Sequence, residues 1–275
     1  MENKPTVSFL NLPSAIVIAG AIIAIAIIWV KSPTTTPVAQ NTDDQVRQVN
    51  LTPITSADHI KGNPNAPIKI VEYSDTSCPF CKTFSSTMNR VMDQYGPDGK
   101  VAWVYRHFPL DKPNVDGSIL HPNAGYEAQA MECAASVGSN EKFWAFEKRL
   151  YEVTPSVTSS SPNGLDRKQL PEIAKYVGIN VTNFNECLSG DRFKGEVEAD
   201  YTSGVNAGVS GTPTNFIVLS SAVNAEAVNF INNALIQYKV PKDLLYVSDD
   251  KKMIVMSGAM PETLIKGLLD TLIGK

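Results

Sequence analysis

A pair of cysteines two residues apart, in "SDTSCPFC" at positions 74 to 81, stands where one sequence periodicity ends and another begins. Upstream, "PIKIVEYSD" (67–75) is a short β-branched run closed by Ser74 and Asp75, the pattern of a buried strand. Downstream, Phe80, Phe84, Met88, Val91, Met92 and Tyr95 recur at helical spacing until Gly96 and Pro97 stop them. A second strand, "KVAWVYRHF" (100–108), follows. Strand, crossover helix and strand imply a parallel pair with both C-terminal ends on one edge. His107 therefore falls on the edge that carries the cysteines.

From about 122 to 208 the signals are helical. Pro122 opens a helix that stops at Gly138, Asn140 caps "EKFWAFEKRLY", Asp166 caps "RKQLPEIAKYV", and two further helices begin near Thr182 and Phe193. Phe143, Trp144 and Phe146 read as core, and the serine-rich "TPSVTSSSPNG" (154–164) as a surface loop. Two late strands, "GVSGTPTNFIVL" (208–219) and "KMIVMSG" (252–258), flank a stretch too long for a hairpin loop, with a helix over roughly 223–238. An amphipathic helix opened by Pro261 ends the sequence. The fold class is α/β with a helical block of about 115–207 inserted into it.

At the other end, "AIVIAGAIIAIAIIWV" (15–30) carries no charge, and with the residues before it is long enough to cross a hydrocarbon layer about 30 Å thick. It reads as a membrane span and signal anchor over residues 1–31, since "KSPTTTPVAQ" offers no clean A-x-A site; a cleaved signal peptide is the competing reading. Charges flank the span on both sides and mark its orientation poorly. Residues 32–57, rich in Thr, Pro, Asn and Asp, read as a solvated tether, with the folded domain beginning near Asp58. A net charge of −4 with scattered Lys and Arg leaves no basic footprint, so nucleic acid is not an expected partner. Four cysteines behind an export-like segment suggest an oxidising compartment. The expected location is the cell membrane, single-pass, with the domain outside the cytoplasm.

At a helix start the first backbone N–H groups lack intrahelical acceptors and the dipole favours negative charge. Cys78 sits at that point, so its thiolate is stabilised and it serves as nucleophile and leaving group. Cys81, one turn on, shares its helix face and can resolve a mixed disulfide formed at Cys78. Pro79 suits the first turn, where a missing N–H costs nothing. A structural zinc site would need four ligands, and only His59, His107 and His121 are on offer, widely separated. No metal and no cofactor is expected. A static CPxC disulfide is the other alternative.

"VEYSDTSCPFC", the helical insertion, "GVSGTPT" and the final strand and helix together resemble the DsbA-like branch of the thioredoxin superfamily, in particular its membrane-anchored members, over residues 58–275. The resemblance implies a thioredoxin fold with an inserted helical domain and thiol:disulfide oxidoreductase activity on exported proteins. Carried over by position, Cys78 attacks and Cys81 resolves. Glu72, six residues before Cys78, matches a buried acid that shuttles the resolving cysteine's proton. Pro213, preceded by Thr212, matches a cis-proline facing the motif, whose backbone would pair with bound peptide; Thr212, Pro213, Pro79 and Phe80 form the expected substrate-binding set. The implied partners are unfolded or reduced exported proteins and a membrane redox partner that reoxidises Cys78–Cys81. An anchored reductase or isomerase is the same-class rival, and a peptide-binding chaperone with an incidental CxxC is the rival from another class. Residues 220–251 depart from the family, which joins its last two strands by a short turn.

Cys133, in "AMECAAS", and Cys187, in "NECLSG", both lie in the inserted block among small or apolar neighbours. The even count and the oxidising compartment favour a structural disulfide between them; two buried free thiols are the alternative. Asp75 either tunes Cys78 or ends the strand. His107 reads as structural more than as a thiolate neighbour, and His121 as a loop or helix-start residue.

Overall fold

The computed structural model describes residues 48–155 and 164–274. The apolar segment 15–30 and most of the serine-rich stretch 154–164 lie outside the described residues. No helix among those described is long and apolar enough to cross a membrane.

A six-stranded sheet runs in the order β1-β3-β2-β4-β6-β5, from β1 (His59–Gly62), β2 (Ile68–Ser74), β3 (Val101–His107), β4 (Thr214–Leu219), β5 (Leu245–Val247) and β6 (Met253–Ser257). β2 and β3 are parallel, from Ile68 opposite Val101 to Ser74 opposite His107, as the intervening helix α1 (Pro79–Tyr95) requires. All other pairings are antiparallel. Side chains alternate across a strand, and β2 and β3 are almost wholly buried because both faces of the sheet are covered. Ile68, Ile70, Trp103, Tyr105 and Ile217 join one core with α1 and most of the helical block. Val71, Tyr73, Val104, Phe216 and Val255 join a smaller core on the opposite face. Glu72 and Ser74 continue the Ile68–Ile70 face, which places an acid beneath α1.

The inserted block consists of α2 (Ala124–Val137), α3 (Asn140–Val153), α4 (Leu170–Tyr176), α5 (Val181–Ser189) and α6 (Lys194–Asn206). α2 is buried along most of its length, and Cys133 on it bonds Cys187 on α5, with Cα atoms 5.8 Å apart. α6 crosses to the second face at Gly204, where a Cβ would stand 2.6 Å from the Phe108 ring and 2.9 Å from that of Tyr73. Only a residue without a side chain lets this helix approach the sheet so closely.

Three features differ from the sequence reading. β1, unmarked by any periodicity, pairs antiparallel with β3 at the sheet edge. Residues 49–57, read as tether, pack on the fold: Val49, Leu51 and Ile54 lie against the second core, and Arg106 donates to the carbonyls of Thr52 and Pro53. Asn140 does not cap α3, whose N-cap is Ser139; its amide donates instead to the Ile60 carbonyl, tying α3 to β1. In the 220–251 stretch, α7 (Ala225–Gln237) buries Ala227, Ile231 and Ala234, and Phe230 meets Gly267 of α8 (Glu262–Ile273); the short strand β5 follows it. The stretch thus extends the sheet and covers its helix.

Candidate active site

Cys78 is the N-cap of α1, with Pro79 at the first helical position. Its amide donates to the Asp75 carbonyl, closing the turn that joins β2 to the helix. The Cys78 side chain is 5% exposed and that of Cys81 is fully buried, and both are free thiols. Beside them Phe80 is 64% exposed, so an apolar ring stands in solvent next to the thiol.

The two thiols are electrostatically unlike. The Cys78 thiol is pulled down to about 6, first by the hydrogen bond it receives from Cys81, with the backbone amides of Cys81 and Phe80 adding to it against the cost of burial. Those amides are the unpaired donors of the helix start. The Cys81 thiol is held well above its usual range by burial, by the proton it shares with Cys78, and by the negative charges of Cys78 and Glu72. One sulfur is poised as thiolate and its neighbour keeps the proton.

Beneath Cys81 lies a buried polar network. Glu72 accepts from Ser74 Oγ at 2.6 Å and from Trp103 Nε1 at 2.9 Å, yet burial pushes its carboxyl up to about 8. Asn215, opposite Glu72 in the β2–β4 register, is also fully buried. Tyr151 reaches in from α3, its hydroxyl 3.0 Å from Ser74 Oγ and donating to the Asp75 carbonyl at 3.2 Å. With Cys78 and Cys81 it forms a small apolar cluster. On the other side, the Thr212 carbonyl oxygen lies 3.5 Å from Cys78 Sγ, and the Thr212–Pro213 peptide bond is cis.

The family model described as Thioredoxin matches residues 55–227. The chain belongs to the thioredoxin family. Within it, α-DsbA1 of Wolbachia pipientis superposes on this thioredoxin-family protein with a TM-score of 0.59 at 22% identity, covering 82% of this chain and 96% of that one. Oxidised BdbD of Bacillus subtilis gives 0.52 at 22% identity, covering 62% and 85%. The shared fold is that of DsbA-like proteins, a thioredoxin sheet with an inserted helical block. Among curated proteins, the Na(+)/H(+) antiporter NhaA 1 of Mycolicibacterium gilvum is 28% identical over 162 residues, which is 58% of this chain and 23% of the antiporter. The chain thus spans under a quarter of that relative's length. Family and fold together place the Cys78–Cys81 dithiol at the start of the first long helix of a thioredoxin fold.

The structure gathers Cys78, Cys81, Glu72, Thr212, Pro79 and Phe80 at one end of the sheet. His107 is not among them: its Nε2 bonds Glu132 at 2.8 Å, which His59 also contacts at 2.9 Å, in a cluster between the sheet and the helical block. Between them the two histidines draw the Glu132 carboxyl down to about 2 against the cost of its burial. Cys133 and Cys187 lie in the inserted block, apart from the dithiol. Tyr151, Ser74, Glu127 and His121 escaped the sequence reading. A signal existed for two of the buried acids: Glu127 and Glu147 stand at core-facing positions of apolar helical stripes, as Glu72 stands in an apolar strand. Nothing comparable marks Ser74 or His121.

Proposed function

We propose that the chain is a disulfide-introducing oxidoreductase acting on reduced, exported proteins, anchored to the membrane through residues 15–30 with its thioredoxin domain outside the cytoplasm. The observation that carries the direction is the thiol of Cys78, pulled down to about 6 beside a Cys81 thiol pushed up. A stabilised thiolate favours the dithiol form, so the disulfide form is a strong oxidant. A substrate thiolate attacks Cys78 Sγ of the Cys78–Cys81 bond, and the Cys81 sulfur leaves and takes a proton from Glu72. A second substrate thiolate then attacks the substrate sulfur of the mixed disulfide and expels the Cys78 thiolate. Two electrons pass from substrate to the cysteine pair, and a membrane redox partner removes them.

Extended substrate backbone would pair beside Thr212 and Pro213, with Pro79 and Phe80 offering apolar contact. The Cys133–Cys187 bond fits an oxidising compartment. Equilibration with glutathione tests the direction. A reduction potential well above thioredoxin's, which is about −270 mV, is expected; one near that value would make the protein a reductase. A chaperone would protect unfolded clients equally well after Cys78→Ala.

Glu72 gives a pH-dependent prediction. With its carboxyl raised, first by burial, the neutral form favours the fold: that contribution is complete below the unfolded value of 4.5 and is lost as pH rises through about 8. Glu127 and Glu147, each raised to about 7, act in the same sense. Stability in urea should therefore fall between pH 5 and pH 8, and Glu72→Gln should recover on the order of a few kcal/mol of that fall. The same variant should slow reduction of the Cys78–Cys81 bond several-fold. Parallel urea curves for wild type and variant at both pH values would remove the buried acid from the account.

A further inference from the structure

The dipeptide between the cysteines, Pro79-Phe80, carries no charge, yet a charged cluster stands on the other flank of Cys78. Asp75, three residues before it and 1% exposed, accepts at Oδ1 from the Ser77 amide at 2.7 Å. At Oδ2 it accepts from the Leu110 amide at 2.7 Å and from His121 Nδ1 at 2.9 Å. Asp75 thereby ties the β2–α1 turn to the segment after β3. Glu127, in the first turn of α2 and fully buried, accepts at Oε2 from the Thr76 hydroxyl at 2.6 Å and the Ser77 hydroxyl at 3.0 Å. Its other oxygen, Oε1, has no partner among the described residues. The exchange chemistry uses none of these groups, and packing alone does not explain three ionisable side chains buried around one turn.

We propose that His121, held by Asp75, is a positioning residue for the exchange reaction, its imidazolium favouring the Cys78 thiolate, and that Glu127 opposes it when ionised. The inference rests on the exchange reading and adds to it a source for the charge at Cys78. The groups that face His121 are Asp75 and Cys78 from the turn and Glu127 from α2. Asp111, from the segment after β3, bears on Asp75, and Arg167 is engaged by the Asn123 side chain and the Pro122 carbonyl. Burial opposes the charge on His121, but the Asp75 hydrogen bond and the charges of Asp75, Cys78 and Glu127 outweigh it and raise the imidazole above its usual range. Burial raises the Glu127 carboxyl to about 7, against the two hydroxyls.

Both groups shift in one direction. As pH rises, His121 loses its positive charge and Glu127 gains a negative one, and each change withdraws support from the thiolate. The oxidising power of the disulfide form is thereby concentrated at mildly acidic pH.

The test uses two conservative variants of the full chain. His121→Asn keeps an amide donor where Nδ1 meets Asp75 and removes the charge; Glu127→Gln keeps an acceptor for the two hydroxyls. Thiolate absorbance against pH should place the Cys78 titration about one unit higher in His121→Asn, and the glutathione equilibrium at pH 7 should shift about fivefold toward the disulfide, some 20 mV more reducing. Glu127→Gln should leave the titration below pH 6 unchanged and strengthen the oxidant above pH 7. Folded variants, by circular dichroism, that both titrate and equilibrate as wild type would overturn the proposal. Should His121→Asn fail to fold, the change above pH 7 in Glu127→Gln decides alone. A wild-type protein that forms no Cys78–Cys81 disulfide with glutathione would overturn the exchange reading instead.

Discussion

Cys78→Ser should abolish disulfide exchange while leaving the fold intact, and Cys81→Ala, which cannot form the Cys78–Cys81 bond, should lose oxidation of substrate dithiols while its Cys78 thiolate still attacks an added disulfide and stalls there as a mixed disulfide. The asymmetry follows from the two sulfurs' surroundings. Cys78 receives a hydrogen bond from Cys81 and faces the free amides of a helix start, and its thiol lies at about 6; Cys81 is buried beside Glu72 and its thiol lies well above 9. Near neutral pH, Cys78 is therefore mostly thiolate while Cys81 keeps its proton. Brief iodoacetamide treatment of the reduced protein at about pH 6, below the free-thiol value of about 8.5, should alkylate Cys78 and spare Cys81, as read by peptide mass mapping. Predominant label at Cys81 would reverse the roles and take the oxidase mechanism with it.

Loss of the Cys133–Cys187 bond should produce the largest change in stability. It joins α2 to α5 across 54 residues of sequence, within the block that supplies Tyr151 to the dithiol. Closing a loop of that length restricts the unfolded chain by roughly 4 kcal/mol on the chain-entropy model. Cys133→Ala with Cys187→Ala should thus lower Tm by about 10 °C, given roughly 2–4 °C per kcal/mol for a domain of this size. Exchange at Cys78 should persist below the new transition, because neither cysteine lies in the CxxC. A double variant melting with the wild type would show that the helical packing alone holds the block together. Loss of exchange at temperatures where the variant is folded would show that the block's geometry reaches the dithiol.

What could be read beforehand and what could not divide along physical lines. The β2–α1–β3 unit was legible because a period of two gives way to one near 3.6 at the cysteines, and a crossover fixes the parallel pairing. The inserted helices were legible from their apolar stripes, from the stop at Gly138 and from the cap at Asp166. β1 was not, because "HIKG" is four residues long and owes its conformation to the edge of β3. Asn140 looked like a cap by type, but a tertiary acceptor, the Ile60 carbonyl, claimed its amide. The reactive cysteines and the acid beneath them lie on local signals, strand end and helix start. The residues that tune them do not: His121, Glu127 and Tyr151 reach the site from 43 to 73 positions beyond Cys78, and only the folded block brings them there.

The pairing of Glu72 with Asn215 at the centre of the sheet has a consequence for synthesis. The two halves of that ladder are separated by the whole helical block. At about 5–20 residues per second, a ribosome needs on the order of ten seconds to deliver β4 after β2. Through that interval β2 has β3 on one side and an open edge on the other, while the helices, whose contacts are local, can already assemble. The nascent chain would carry a reactive cysteine pair before the strand that walls it in exists. In the exported protein proposed above, its own thiols are then clients for the oxidising machinery of that compartment, and a Cys78–Cys133 or Cys81–Cys133 cross-link is the misfolded product to look for on the way to the native protein.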